Sequence, residues 1–331
     1  MADLFCGAGK NGNQDGSPLV LLDRAKYILD SPIIKRTNPI IEILFNDKDK
    51  KNSDNLTLQL KKYSHPSIKI HPIKNLDFQS ILFQILSKYK NYSTPKFFFL
   101  DPFTYSDVTL DNLRDLMFLP KSEVFLFIPV FHSYRFSSNK GFQKDHKTRQ
   151  FVEEFTTKGM ANYDDIDDFM QSIKEKIKEE LGLDYVRPIL LDDGTCKNAI
   201  FLLTRHQKGM LLMNQIALKE SNDGKGINIK SQQTNDLFGY QETQGTLRFD
   251  VLTQKLEQEL KNRKIMTNNE IIDFSIKEEF LPKHAKNSLK DICKKNKIVI
   301  EDENGNNITE KQGKWNIAEK ITKEIRFTYD N

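Results

Sequence analysis

Short, almost wholly apolar runs alternate along the chain with longer segments whose apolar residues recur every three or four positions. The first pattern marks buried strands and the second amphipathic helices. Residues 2–5 (Ala-Asp-Leu-Phe) read as the end of a strand that runs into a glycine-bearing loop over 6–16. Ser17-Pro18 predicts a helix start, with a hydroxyl N-cap and proline at the first helical position. Leu19, Leu22, Ala25, Ile28 and Leu29 continue it at helical spacing. Strand 40–45 ends at Asn46-Asp47, and a helix is expected over 56–63. Strand 68–71 leads through Asn75-Leu76-Asp77 into a helix over 78–89. Strand 96–100 is followed at once by Asp101-Pro102-Phe103, then by a helix near 110–118 and a strand over 124–130.

Apolar strands alternating with helices predict an α/β protein whose parallel sheet is covered on both faces. Helices then follow over 145–155 and 164–181, the second opening with Asp164, Asp165, Asp167 and Asp168, as its dipole favours. Strand-like segments 186–191 and 199–204 meet through Asp192-Asp193-Gly194, a hairpin signal. A parallel series closed by an antiparallel hairpin resembles the seven-stranded, Rossmann-like sheet of class I S-adenosylmethionine (SAM) methyltransferases. Dinucleotide-binding Rossmann domains lack that ending. Beyond about residue 247 the texture changes to helices over 249–263, 268–278 and 282–295. An apolar run over 298–300, a turn at Asn304-Gly305-Asn306 and an extended segment near 314–316 complete the order of a winged helix-turn-helix. The expected domains are 1–245 and 246–331.

Composition narrows the class. The chain has 331 residues, 38% hydrophobic and 29% charged, with 23 Phe against one Trp and 10 Tyr, so Phe, Ile and Leu must fill the core. Mean hydropathy is −0.58 and no apolar run approaches the ~18 residues of a membrane span. The N-terminal stretch is not an apolar segment with a basic front edge, so secretion is not expected, and Cys6, Cys196 and Cys293 lack cluster spacing. A cytoplasmic protein with reduced thiols, no metal centre and no membrane partner is the expectation. His65 and His71 flank a short strand and read as turn and surface residues. The net charge of +4 says little, but over 283–297 six lysines face one acid, Asp291. Such a face suits phosphates, and equally a solvated helix end.

The glycine loop carries the strongest chemical signal. In Asp3-Leu4-Phe5-Cys6-Gly7-Ala8-Gly9, an acid ends the first strand and glycines let the backbone turn tightly beneath a ligand. Asp3, Phe5, Gly7 and Gly9 are therefore candidate contacts to SAM, Asp3 towards its amino group. Asp47, with Asp49 as substitute, stands where an acid accepts ribose hydroxyls, and Asp77 where a polar residue meets adenine. Each acid reads alternatively as a turn or cap residue. Only two residues precede Asp3, so either the natural start lies upstream of Met1 or the first strand is short and poorly anchored at the sheet centre.

The same heptapeptide resembles the first motif of DNA cytosine-5 methyltransferases. Those enzymes need a Pro-Cys nucleophile after the fourth strand; this chain has Leu100-Asp101-Pro102-Phe103 there and no Pro-Cys anywhere. A wider set resembles the three-Cys-motif partner (TcmP) family of bacterial, methyltransferase-like proteins. It comprises the glycine motif, Gly16-Ser17-Pro18-Leu19, Phe99-Leu100-Asp101-Pro102-Phe103, Ser122-Glu123-Val124 with Arg135-Phe136, and Leu203-Thr204-Arg205-His206-Gln207-Lys208-Gly209-Met210 with Met213. The resemblance covers most of the chain and implies a partner, a radical-SAM-like protein that carries the three cysteines. It also implies residues ahead of the first motif.

Asp101-Pro102-Phe103 lies where amino-group methyltransferases place D-P-P-Y-type motifs, whose acid and carbonyl hold the target amine while an aromatic ring stacks on the base. These three are the candidate catalytic residues. With Thr104 where the aromatic would fall, Phe103 or Tyr105 must stack; a plain Asp-Pro turn is the alternative. Arg205, His206 and Lys208 read as phosphate contacts or as caps of the next helix, and Arg135 as a phosphate contact or an ion-pair partner. Lys283, Lys286, Lys290 and Lys294 are the candidate nucleic-acid contacts, DNA or RNA. The leading expectation is a SAM-dependent methyltransferase acting on nucleic acid. The others are a non-catalytic adaptor that docks the partner and, less favoured, a methyltransferase for small molecules or proteins.

Overall fold

The computed structural model describes residues 1–61, 63–139, 141–221, 224–228, 246–308, 315, 317, 318 and 323–329. The chain divides into one unit of Met1–Pro188 with Cys196–Arg205, and a second of Ile189–Thr195 with His206–Asn331.

The first unit begins with β1 (Ala2–Asp3), followed by a small antiparallel pair, β2 (Lys10–Asn11) and β3 (Gln14–Asp15), inside the glycine loop. Helices α1 (Ser17–Leu29) and α2 (Pro32–Lys35) lead to β4 (Ile41–Phe45), α3 (Lys50–Leu60), β5 (Ile68–Ile70) and α4 (Phe78–Tyr89). Then come β6 (Lys96–Leu100), α5 (Leu110–Phe118), β7 (Ser122–Ile128), α6 (Val130–Phe136), α7 (Lys147–Phe155) and α8 (Ile166–Leu181). The hairpin of β8 (Tyr185–Asp192) and β9 (Lys197–Thr204) closes the series. The strands stand in the order β10-β8-β9-β7-β6-β1-β4-β5, eight where seven were expected: β10 (Gly226–Asn228) pairs parallel with Leu190–Asp192, the end of β8 that belongs to the second unit. Parallel pairing joins β1 to β4 and β6, β4 to β5, and β6 to β7, whereas β9 runs antiparallel to β7 with Glu123 opposite Thr204. This is a mixed α/β unit with a mostly parallel central sheet.

β1 is two residues long yet holds the centre. Its path stays bonded on both sides beyond the strand: Leu4 N donates to Phe99 O at 3.2 Å, Cys6 N to Asn46 O at 3.0 Å and Asn46 N to Asp3 O at 3.0 Å. Buried Leu4 and the core of Leu22, Ile43, Phe45, Leu56 and Ile68 add packing. Shortness here does not mean weak anchoring.

In the second unit, α9 (Gln207–Glu220) and β10 (Gly226–Asn228) precede α10 (Thr246–Arg263), β11 (Ile265–Thr267), α11 (Asn268–Lys277), α12 (Pro282–Lys295), β12 (Ile298–Asp302) and β13 (Ile325–Tyr329). β13 pairs antiparallel with both β11 and β12, a three-stranded sheet beside the helices α10, α11 and α12. This is a winged helix-turn-helix. Its core is apolar, with Leu252, Leu256, Leu260, Ile271, Leu289, Ile292 and Phe327 all buried. Thr267 caps α11, its hydroxyl accepting from Glu270 N at 3.3 Å while Glu270 Oε2 accepts from Thr267 N at 2.8 Å. Helix α9 belongs to this unit: Asn214 Nδ2 donates to Ile276 O at 3.0 Å and Phe280 O at 3.2 Å.

Several expectations shift. Gly16, not Ser17, is the N-cap of α1, because the Ser17 hydroxyl donates instead to Asp3 Oδ2 at 2.7 Å. Helix α3 starts earlier than its apolar spacing suggests, since Asp49 caps it by accepting from Lys51 N. Val130 opens α6 instead of ending a strand. The expected extended segment near 314–316 lies outside the described residues, apart from Trp315. Among the described residues no helix is long and apolar enough to cross a membrane.

Candidate functional site

Three acids end or follow neighbouring strands: Asp3 on β1, Asp47 after β4 and Asp101 after β6. Between them the glycine loop turns through Gly7 (φ 63°) and Gly9 (φ 83°), and Gly16 N closes it on Gly9 O at 2.8 Å. The two glycines serve different ends. A Cβ on Gly9 would lie 2.8 Å from Leu56 Cδ1 and 2.9 Å from Gln59 Oε1, so this glycine lets the loop pack on α3. A Cβ on Gly7 would meet nothing within 4 Å, so the backbone there faces open space.

Asp3 is buried, its Oδ2 accepting from Ser17 Oγ and its Oδ1 from Phe5 N at 3.3 Å. Burial pushes its carboxyl up to about 7, against the bonds from Ser17 and Phe5; the charges of Asp101 and Asp47 add to the rise. Asp47 is only 1% exposed. Its Oδ2 accepts from Gly7 N at 2.8 Å and its Oδ1 from Asp49 N at 2.8 Å and Asn52 Nδ2 at 3.3 Å. It thus ties the glycine loop to the start of α3. Asp77 is exposed and caps α4, accepting from Ser80 N at 2.9 Å and Ser80 Oγ at 2.7 Å, which lowers its pKa. Phe5 is buried and stacks on Phe78 with centroids 5.1 Å apart.

Asp101 differs from these. It is half-buried, burial raises its pKa, and among the described residues no donor meets its carboxylate. Pro102 and Phe103, which follow it, line an apolar cavity of about 290 Å³ that Tyr105, Leu126, Pro129, His132, Phe151 and Phe155 help to enclose. The Phe103 ring is 58% exposed and carries Lys48 Nζ at 5.6 Å from its centroid. That lysine also pairs with Asp107 at 3.9 Å, so the loop after β4 is latched to the loop after β6. Lys48, Phe151 and Phe155 were not singled out in the sequence. The i, i+4 pair of phenylalanines on an amphipathic segment was the available signal, and a core reading accounts for it equally well.

Other candidates take structural places. His206 caps α9, its Nδ1 accepting from Lys208 N at 3.1 Å. Arg205 donates to the carbonyls of Met117, Gly182 and Leu181. Arg135 lies over the rings of Phe131 and Phe136.

On α12, Lys283, Lys286, Lys290 and Lys294 fall within an arc of about 80° at 100° per residue. Ala285, Ser288, Leu289 and Ile292 are buried on the other side of this helix. Lys283 and Lys294 are exposed, Lys286 and Lys290 partly so, and Lys294 pairs with Asp291 at 3.0 Å. The amphipathic pattern therefore turns one cationic face outward.

Residues 227–305 match the model of the GMT-like wHTH domain. Among solved structures, a crystal structure of WbdD is similar at a TM-score of 0.33 and 11% identity, over 62% of this chain and 35% of that one. That likeness is too remote to bear on function. No curated protein sequence matches the chain.

Proposed function

We propose that this protein is a SAM-dependent, methyltransferase-like protein that binds nucleic acid through α12 of its winged helix-turn-helix. The observation that carries the reading is the single cationic face of Lys283, Lys286, Lys290 and Lys294 on the third helix of that domain. Lysines so arranged contact phosphates and supply affinity with little sequence information.

The strand order of the first unit supports a class I methyltransferase reading. Its order reverses at β1, where ligands of open α/β sheets bind outside the carboxyl ends of the strands. The residues there fit SAM and an acceptor beside it: Gly7 leaves open space over a backbone with positive φ, and among the described residues no donor meets the Asp101 carboxylate. Asp3 would face its amino group, the open backbone at Gly7 would leave room for it, and Asp47 would act by fixing the loop. When bound, SAM supplies an electrophilic methyl group. This chain's part is to position an acceptor: Asp101 accepts a hydrogen bond from the target amine, and Phe103 offers a ring for stacking. The resemblance to the TcmP family adds a radical-SAM-like protein as the expected partner.

Methyl transfer from labelled SAM to DNA and RNA oligonucleotides tests the reading. Label in nucleic acid that is lost in Asp101→Ala supports it; no transfer, together with no calorimetric SAM binding, overturns the enzyme. One observation favours the adaptor as second reading: the carboxylates of Asp47 and Asp77 are already bonded to the protein itself.

A further inference from the structure

The cavity beside Asp101 has a chemistry of its own. Its floor is Val108, Leu126 and Ile128, and its walls include a run of stacked rings. Tyr105 stacks on Phe151 with centroids 4.6 Å apart at 30°, and Phe151 on Phe155 at 4.9 Å and 21°. A further flat ring packs favourably among aromatic side chains of this kind. Among the described residues no Lys, Arg, Asp or Glu lines the space, so a phosphate or carboxylate entering it would lose its hydration without a partner. The volume, about 290 Å³, lies at the small end of ligand sites and suits a ring system without its phosphate.

Polar atoms at the walls are mostly committed. The Tyr105 hydroxyl donates to Pro129 O at 2.9 Å, and Thr104 Oγ1 shares a hydrogen bond with Ser106 Oγ at 3.1 Å. His132 is the exception. It is exposed at the mouth, its ring packs edge-on against Phe136 with centroids 4.8 Å apart, and among the described residues no group bonds its nitrogens.

We infer that this cavity is a binding site for an uncharged heteroaromatic ring of the nucleobase class, with His132 as the residue that hydrogen-bonds the ring's polar edge. The inference rests on the proposed function for the source of the ring, an extruded base; its chemistry rests on the cavity. A base packs among the aromatic side chains that line the space, Phe103 and Tyr105 included, while His132 selects rings that carry a donor or acceptor.

Calorimetric titration of the full chain with cytidine and with adenosine, with and without S-adenosylhomocysteine, tests this. Expected is binding that survives S-adenosylhomocysteine, weakens about tenfold in His132→Ala, as loss of one hydrogen bond implies, recovers in His132→Gln and falls in Phe103→Ala. Both altered side chains are exposed, so the fold tolerates the changes. Failure of both nucleosides to bind overturns the inference. So does binding indifferent to both alanine variants, or binding abolished by S-adenosylhomocysteine, which would place the ring at the glycine loop. Lysine-dependent DNA binding measured on the same preparation reports separately on the proposed function: its presence alongside a failed nucleoside titration sinks only the cavity assignment.

Discussion

Asp3 shows how one residue couples position to chemistry. Sheet-centre burial holds its carboxyl near 7, whereas the same group in an unfolded chain titrates near 3.8. Between those values the unfolded chain has lost the proton and the folded one retains it, so folding stability falls as pH rises from about 4 to about 7 and is level above. Asp3→Asn keeps an acceptor for Ser17 and removes the titration. Urea midpoints of both proteins at pH 4.5 and pH 8 should therefore show the variant gaining on the wild type at the higher pH, by on the order of a few kcal/mol. An equal difference at both pH values would mean that Asp3 is ionised throughout. The acid itself was legible in the sequence as the end of the first strand. That its charge is suppressed was not, because suppression comes first from burial at the sheet centre and then from the charges of Asp101 and Asp47, all of it set by strand pairing across long stretches of chain.

At the scale of elements, the glycine loop separates two requirements that look identical in sequence. Gly9→Ala is expected to destabilise by about 1–3 kcal/mol, since its methyl meets Leu56 and Gln59 and its φ is positive. Gly7→Ala should cost about 1 kcal/mol of strain, while filling the open space and abolishing SAM binding. Thermal unfolding with SAM titration distinguishes them, and equal stability loss at both sites would refute the division of roles. In the second unit, Thr267→Ala removes the reciprocal cap of α11 and should lower stability by about 1 kcal/mol in urea unfolding. Most elements were readable because apolar runs and helical spacing decide them. The exceptions share a cause. Ser17 and Asp49 changed cap assignments through side-chain bonds set by packing, and β11 and β13 are short strands whose identity comes from pairing with each other and with β12. Asp77 illustrates the same ambiguity: a strand-end acid looks alike whether it faces a ligand or caps a helix, and here it caps α4.

For the molecule as a whole, the proposed nucleic-acid affinity resides in one helix. Four lysines on one arc of α12 stood in the sequence as a ready pattern, because a helix converts spacing directly into a face. The cavity beside Asp101 was not readable in this way, since its walls come from segments as distant as Phe103 and Phe155. The most direct measurement is the salt dependence of oligonucleotide binding by the wild type and by the Lys283→Ala, Lys286→Ala, Lys290→Ala, Lys294→Ala quadruple variant. If all four contact phosphates of duplex DNA, the slope of log K against log salt should be steeper in the wild type by about 3.6. A slope that is unchanged in the variant, or a wild type that does not bind, would contradict the assignment of nucleic-acid binding to this face.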